Sequence, residues 1–429
     1  MDAVGGYPRY ATWIQAREQT VLFASFLIFV VREGAIRLID DRGREWRIGD
    51  GSPPACTVRQ HRSFGLKFAL NPPLVMAEGY MDGVFDIEDG SVEDLVAVIM
   101  RNYHHLERHP LMKAGQWLWL QGNRFGEYNP IQRARRNAAH HYDLSGQLYE
   151  LFLDRDRQYS CAYFRDPRDS LETAQENKKR HIAAKLLLDR PGLRVLDIGS
   201  GWGGLALYLA QLADADVTGI TLSTEQHKTS NKRAADAGLA QQVRFHLRDY
   251  REHRETYDRI VSVGMFEHVG RRNYPVFFKQ LANLLADDGV ALLHSIGRSE
   301  PPSPTNPFIR KYIFPGGEIP ALSDVLAAVE RSGLLVMDVE VLRLHYADTL
   351  REWQRRFQAN RDKVKGLYDE RFCRMWELYL AASEMSFRHQ NMMVFQLQLA
   401  KRIDAVPLQR DYITDFDRGR HSRSIAAAE

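Results

Sequence analysis

The chain has 429 residues, enough for two or three domains at roughly 150 residues each. With 44% hydrophobic and 26% charged residues and a mean hydropathy of -0.40, a largely disordered chain is excluded. Lys plus Arg total 58 against 55 Asp plus Glu, and a net charge of +3 does not support nucleic acid as a partner.

The three cysteines, Cys56, Cys161 and Cys373, are far apart and lack CxxC or Cys/His pairing, so no disulfide framework and no metal site is expected; a reducing, cytoplasmic setting fits. The longest apolar run, VLFASFLIFVV from Val21 to Val31, is shorter than the roughly 18 residues of a membrane-spanning helix. It also lacks the basic start and cleavage site of a targeting segment. Residues 1–108 mix short β-rich runs (AIRLID, WRIGD, TVRQH, LKFAL) with turn signals and read as a small α+β domain ending in a helix over 92–106. Residues 109–136, with Pro110, Gly115, Gly122, Gly126 and Pro130, read as a linker. Its basic end, Arg133, Arg135 and Arg136, is either a solvated helix start or a contact for anionic lipid headgroups. The run at 21–31 and Trp117, Trp119 and Phe125 are candidates for core packing or for a lipid-facing surface.

From 137 to 412 the rhythm becomes strand, turn, helix. LRVLDIGSG, DVTGITL, QVRFHLRD, YDRIVSVG and GVALLHSIG are short β-branched runs with helices between them, which predicts an α/β fold with a mainly parallel sheet. The Pro/Gly-rich segment 301–320 reads as a functional loop or lid, 350–389 as helical, and 413–429 as a polar, frayed tail.

The turn Asp197-Ile-Gly199-Ser-Gly201-Trp-Gly203-Gly204 lies where a strand feeds a helix, the edge at which doubly wound sheets bind ligands. Its glycines let a ligand lie against backbone, and the spacing is open to S-adenosylmethionine or a dinucleotide. Asp197 favours the first: it is placed to hold the amino-acid end of S-adenosylmethionine, directly or through water, and would repel a pyrophosphate. At the end of the next strand, Thr221, Glu225 or Gln226 can serve the ribose hydroxyls, while Ser223 and Gln226 also read as a helix capping box.

Three phrases, QYSCAYF (158–164), VGMFEHVG (263–270) and HSIG (294–297), together with HHYDLS (140–145), LDIGSGWGG, TLSTEQ and KYIFPGGEIP (311–320), resemble the cyclopropane-fatty-acid synthases and mycolic acid cyclopropane synthases. The resemblance implies a Rossmann-like class I methyltransferase domain acting on unsaturated membrane phospholipid. An alkene attacks the sulfonium methyl of S-adenosylmethionine, a carbocation forms, and loss of a proton to bound bicarbonate closes a cyclopropane ring. A dry site that holds the reactants close is required, because an alkene is a poor nucleophile.

Carried onto this sequence, the resemblance implies that Cys161 and Ile296 contact bicarbonate through backbone and Glu267, His294 and Tyr346 through side chains. It implies cofactor contacts from Tyr159, Ser160, Asp197, Gly199, Gly201, Trp202, Gly203, Thr221, Leu222, Gln226 and either or both of Asp249 and Tyr250. Tyr163, Phe164, Phe266 and Tyr346 are candidates to stabilise the cation. The chain departs from many relatives at Ser383, where they carry a cysteine, so a nucleophilic cysteine is not available there. The resemblance further implies a sterol-carrier-like first domain engaged in lipid contact and dimerisation, and a protein peripherally associated with the inner face of the membrane. The competing expectations are methyl transfer ending in a branched or methylene chain, and a lipid-binding protein whose methyltransferase module is inactive.

Overall fold

A computed structural model describes residues 23–64, 67–107 and 146–419. The expected linker at 109–136, the HHYDLS phrase and residues Trp117, Trp119, Phe125, Arg133, Arg135 and Arg136 lie outside the described residues. By internal contacts the chain divides into two units: 1–121 with 306–313 and 357–390, and 122–305 with 314–356 and 391–429. Two segments expected within 137–412 therefore group with the first unit.

In the first unit, strands β1 (Ala35–Ile39), β2 (Glu45–Gly49), β3 (Ala55–Gln60) and β4 (Phe85–Asp89) form a sheet in the order β2-β1-β3-β4, parallel only between β1 and β3. A helix over 23–30 buries Phe23, Ala24, Leu27 and Val30 in the same core as Ile36, Leu38 and Val58. Within the described part of the apolar run Phe23, Ala24, Leu27, Val30 and Val31 are thus core, while Ile28 and Phe29 are exposed. LKFAL is not a strand: Lys67–Leu70 is a short helix, and the fourth strand is Phe85–Asp89. The expected helix 92–106 is two, Val92–Arg101 and Tyr103–Glu107. They part at the buried Asn102, whose amide accepts from the N–H groups of Arg32 and Glu33 and donates to the carbonyls of Glu33 and Val98. Helix Glu370–His389 sets Ala381 against Val92 and Val96, and Tyr80 donates to its Glu377 at 3.2 Å.

The second unit holds β5 (Arg194–Ile198), β6 (Asp216–Thr221), β7 (Val243–Leu247), β8 (Tyr257–Val263), β9 (Leu285–Arg298), β10 (Leu335–Val341) and β11 (Met392–Ala400). Their order is β10-β11-β9-β8-β5-β6-β7, with β5 to β9 mutually parallel and β11 antiparallel to both neighbours. The order reverses at β5, so the crevice beyond its carboxyl end is where such a sheet accepts a ligand. One core cluster joins Leu196, Ile260, Leu293 and Phe395 to helix Tyr274–Leu284, and another joins Val195, Val217 and Val261 to helix Gly204–Ala213.

The tail expected to fray from 413 is helical over Asp411–Asp417, with Ile413 buried. His181 of helix Leu171–Lys185 fixes it, one imidazole nitrogen 2.8 Å from Asp417 and the other 2.7 Å from Glu340. Residues 420–429 lie outside the described residues. No helix among the described residues is long and apolar enough to cross a membrane.

Candidate active site

The turn after β5 runs Gly199, Ser200, Gly201, Trp202, and Gly199 and Gly201 adopt φ of +84° and +54°, a region costly for any residue with a Cβ. A Cβ at Gly201 would meet nothing within 4 Å, so this backbone faces open space within a cleft. The cleft is also lined by Tyr159, Ser160, Asp197, Gly199, Trp202, Thr221, Leu222, Gln226, Asp249 and Tyr250. Eleven of the twelve expected cofactor residues therefore share one cavity. Gly203 is not among its lining: a Cβ there would press on Phe245 and Ser230 at 2.8 and 2.9 Å, so its bareness serves helix packing.

Asp197 is buried, and its Oδ2 has no hydrogen-bond partner. Burial pushes the carboxyl up to about 7, against the pull of the Lys178 ammonium. An orphan acceptor on a cleft wall suits the α-ammonium group of S-adenosylmethionine. At the end of β6, Thr221 donates to Gln226 Oε1 at 3.0 Å and accepts from the Ser223 N–H at 3.2 Å. Ser223 caps helix Thr224–Asp236 by accepting the Gln226 N–H, but the Gln226 side chain turns to Thr221, so only half of the expected capping box forms. Asp249 binds Arg251 through both oxygens, and Tyr250 packs edge-on against Phe277.

An irregular strap over 157–164 forms another wall. Tyr159 stacks on Trp353 at 5.1 Å and meets Tyr149 edge-on. Gln175 donates to the carbonyls of Gln158 and Ser160, and Lys178 donates to their side chains. Ala162 N–H donates to Thr349 Oγ1 and Phe164 N–H to His345 Nδ1, which ties the strap to helix His345–Ala359. Cys161 is buried, its thiol directed to the Ala162 carbonyl, and burial raises its pKa so that it stays protonated. Tyr346 lies on that same helix, edge-on to Trp353.

Glu267 follows β8 on the short turn Phe266–His268, at the same sheet edge as the glycine turn. Its Oε1 accepts the Ile296 N–H at 2.7 Å, whereas Oε2 is buried without a partner. Burial raises this carboxyl to about 7, well above the ordinary carboxylate range. His294 stands opposite Val263 in the β8–β9 register, and burial first, then the Lys178 charge, lowers it to about 3. It is therefore a neutral imidazole. Gln396 Nε2 donates to its Nδ1 at 3.1 Å, which assigns the proton to Nε2.

Glu267 and Ile296 thus come together through the Ile296 N–H, and His294 lies two residues earlier on the same strand, β9. Cys161 and His294 both feel the Lys178 charge. Phe266 does not face a reactant: it is fully buried against Tyr274, Phe277 and Phe278. Tyr163 stacks on His181 at 4.4 Å and Phe164 on His345 at 6.4 Å. Ser383 is half-buried on helix Glu370–His389, in the first unit.

Two residues escaped the sequence reading. Lys178, within QENKK, reads as one more cation on a solvated helix but is fully buried. His268 lines the cleft, held neutral by burial at about 4. The Pro/Gly-rich segment also reaches the site: Gly316 lines the cleft, and Glu318 N–H donates to the Glu267 carbonyl at 3.0 Å.

Residues 130–397 match the mycolic acid cyclopropane synthetase family. The chain is 36% identical to the cyclopropane-fatty-acyl-phospholipid synthase of Escherichia coli K12 over 359 residues, 83% of this chain and 90% of that protein. It is 34% identical to the tuberculostearic acid methyltransferase UfaA1 of Mycobacterium tuberculosis over 389 residues, 85% of this chain and 88% of that one. Among solved structures, it is similar to mycolic acid cyclopropane synthase CmaA1 in complex with SAH and CTAB, at a TM-score of 0.59 and 34% identity, covering 64% of this chain and 99% of that one. The cyclopropane synthase MmaA2 of M. tuberculosis superposes with a TM-score of 0.60 at 32% identity, covering 64% and 100%.

Proposed function

Since the chain belongs to the mycolic acid cyclopropane synthetase family and is an S-adenosylmethionine-dependent methyltransferase, we propose that it adds a methylene bridge across the cis double bond of unsaturated phospholipid acyl chains, with bicarbonate as proton acceptor. The observation that carries the second half is that two buried groups, the Glu267 carboxyl just after β8 and the His294 imidazole beside the end of β8, sit at one sheet edge. One is a carboxyl poised near neutrality with an unpartnered oxygen, and the other is an imidazole kept neutral.

S-adenosylmethionine supplies, when bound, an electrophilic methyl group. For that cofactor, Asp197 Oδ2 offers the acceptor for its ammonium, Gly201 allows backbone approach, and the Thr221–Gln226 pair faces the ribose end. Bicarbonate supplies a base that needs no ionised side chain beside a cationic intermediate on the lipid. For that anion, His294 Nε2–H is a donor and Glu267 Oε2 can donate or accept one proton, while the Ile296 N–H fixes the carboxyl's orientation. Burial of both groups excludes the water that would capture a carbocation and leave a hydroxylated chain. Docking at the membrane surface belongs to this reading, since the acyl substrate resides in a bilayer, and so does the homodimer that the resemblance implies.

The test is expression in cells lacking such an enzyme, followed by mass spectrometry and proton NMR of phospholipid fatty acids. A product one CH2 heavier, with upfield cis-cyclopropane proton signals and formation that depends on bicarbonate, is expected. A methyl-branched or methylene product would replace ring closure with the neighbouring chemistry of the family.

A further inference from the structure

Helix Leu171–Lys185 carries two adjacent lysines with opposite fates. Lys179 finds carboxylates at its tip, Asp156 at 2.9 Å and Glu176 at 3.0 Å. Lys178 is 1% exposed, and among the described residues its direct partners are both neutral: Gln158 Oε1 at 2.6 Å and Ser160 Oγ at 2.9 Å. A buried ammonium without a carboxylate in contact is costly, and a helix could seat the strap more cheaply with a neutral amide, as Gln175 does one turn earlier. The surroundings give the charge a use. Gln158, Ser160 and Asp197 all line the cleft, Asp197 Oδ2 lacks a partner, and Lys178 is the one charged group acting on that carboxyl among the described residues.

We infer that Lys178 is a positioning residue for the cofactor: its ammonium seats the strap at Gln158 and Ser160 and keeps Asp197 ionised to receive the cofactor's ammonium group. This rests on the S-adenosylmethionine reading of the cleft. The titratable and charged groups facing Lys178 are Asp154 and Asp156 before the strap, Cys161 on it, Lys179 beside it, Asp197 on β5 and His294 on β9. Burial lowers Lys178 to about 8, with Asp154 opposing, so its ammonium form predominates on the acid side of about 7, where Asp197 takes up its proton. Removing the ammonium raises the Asp197 carboxyl further, and the acid-side loss of cofactor affinity then moves to higher pH.

The experiment is calorimetric titration of the full chain with S-adenosylhomocysteine between about pH 6 and 9, for the wild type, Lys178→Met and Lys178→Arg. Wild-type affinity is expected to fall as pH drops through about 7. In Lys178→Met this limb moves up by about one pH unit, a loss of about fivefold at pH 7 that approaches tenfold at lower pH and shrinks as pH rises. Lys178→Arg keeps the charge and returns the limb to its wild-type position, even if its overall affinity is lower. Wild-type affinity that is flat with pH, or an equal loss at every pH in Lys178→Met, overturns the inference. If the wild type binds S-adenosylhomocysteine and the limb does not move, this inference alone fails. If the wild type binds no S-adenosyl compound at any pH, the reading of the cleft fails with it. Should Lys178→Met not fold, Lys178→Gln and the wild-type profile decide the matter in the same way.

Discussion

Asp197 and Glu267 are two buried carboxyls at the same sheet edge, each with one oxygen lacking a partner and each raised to about 7. Their neighbourhoods differ. Asp197 feels a buried ammonium, so its ionised form is supported and it can meet a cation. Glu267 accepts the Ile296 N–H and has no charged group acting on it among the described residues, so only hydrogen bonds support its ionised form. On the function proposed above the two carboxyls serve different tasks, and their shared value of about 7 does not separate them.

Four changes probe that contrast. Glu267→Gln keeps the shape and removes the shared proton, so kcat should fall about 100- to 1,000-fold while S-adenosylhomocysteine affinity stays within about twofold. Single-turnover kinetics beside calorimetry will show the split; equal losses in both would merge the two carboxyls into one function. Gly201→Val places a branched side chain at φ +54° and fills the open side of the turn, and should cost on the order of 100-fold in cofactor affinity. Asp197→Asn should weaken cofactor binding about 10- to 100-fold. It should also erase the acid limb, because affinity requires the ionised form and is lost as pH falls through about 7. Thr221→Val removes two hydrogen bonds within the ribose wall and should cost only about fivefold in the same titration.

Strands β5 to β9 were legible because each is a β-branched run beside a turn, and the glycine turn marked the ligand edge in the sequence itself. β10 and β11 were not. In β11 the apolar pattern is broken by Gln396 and Gln398, which look like surface residues but spend their amides on His294 and on the Lys185 carbonyl and Tyr412. LKFAL carried the alternation of a strand, yet so short a run takes its conformation from its packing. The site followed the same division. Glu267, His294 and the cleft residues were visible through phrases, whereas Lys178 was hidden because burial of a charge leaves no mark on periodicity.

The stacking of Tyr163 on His181 has a consequence for the order of synthesis. The two carboxylates that hold His181 lie 159 and 236 residues downstream in the chain. Domains fold as they emerge from the ribosome, N-terminal parts first. The outer support of the Cys161 strap is therefore finished only when residues far downstream have emerged, and a nascent chain halted before Asp417 would carry its whole glycine turn beside an unsecured wall.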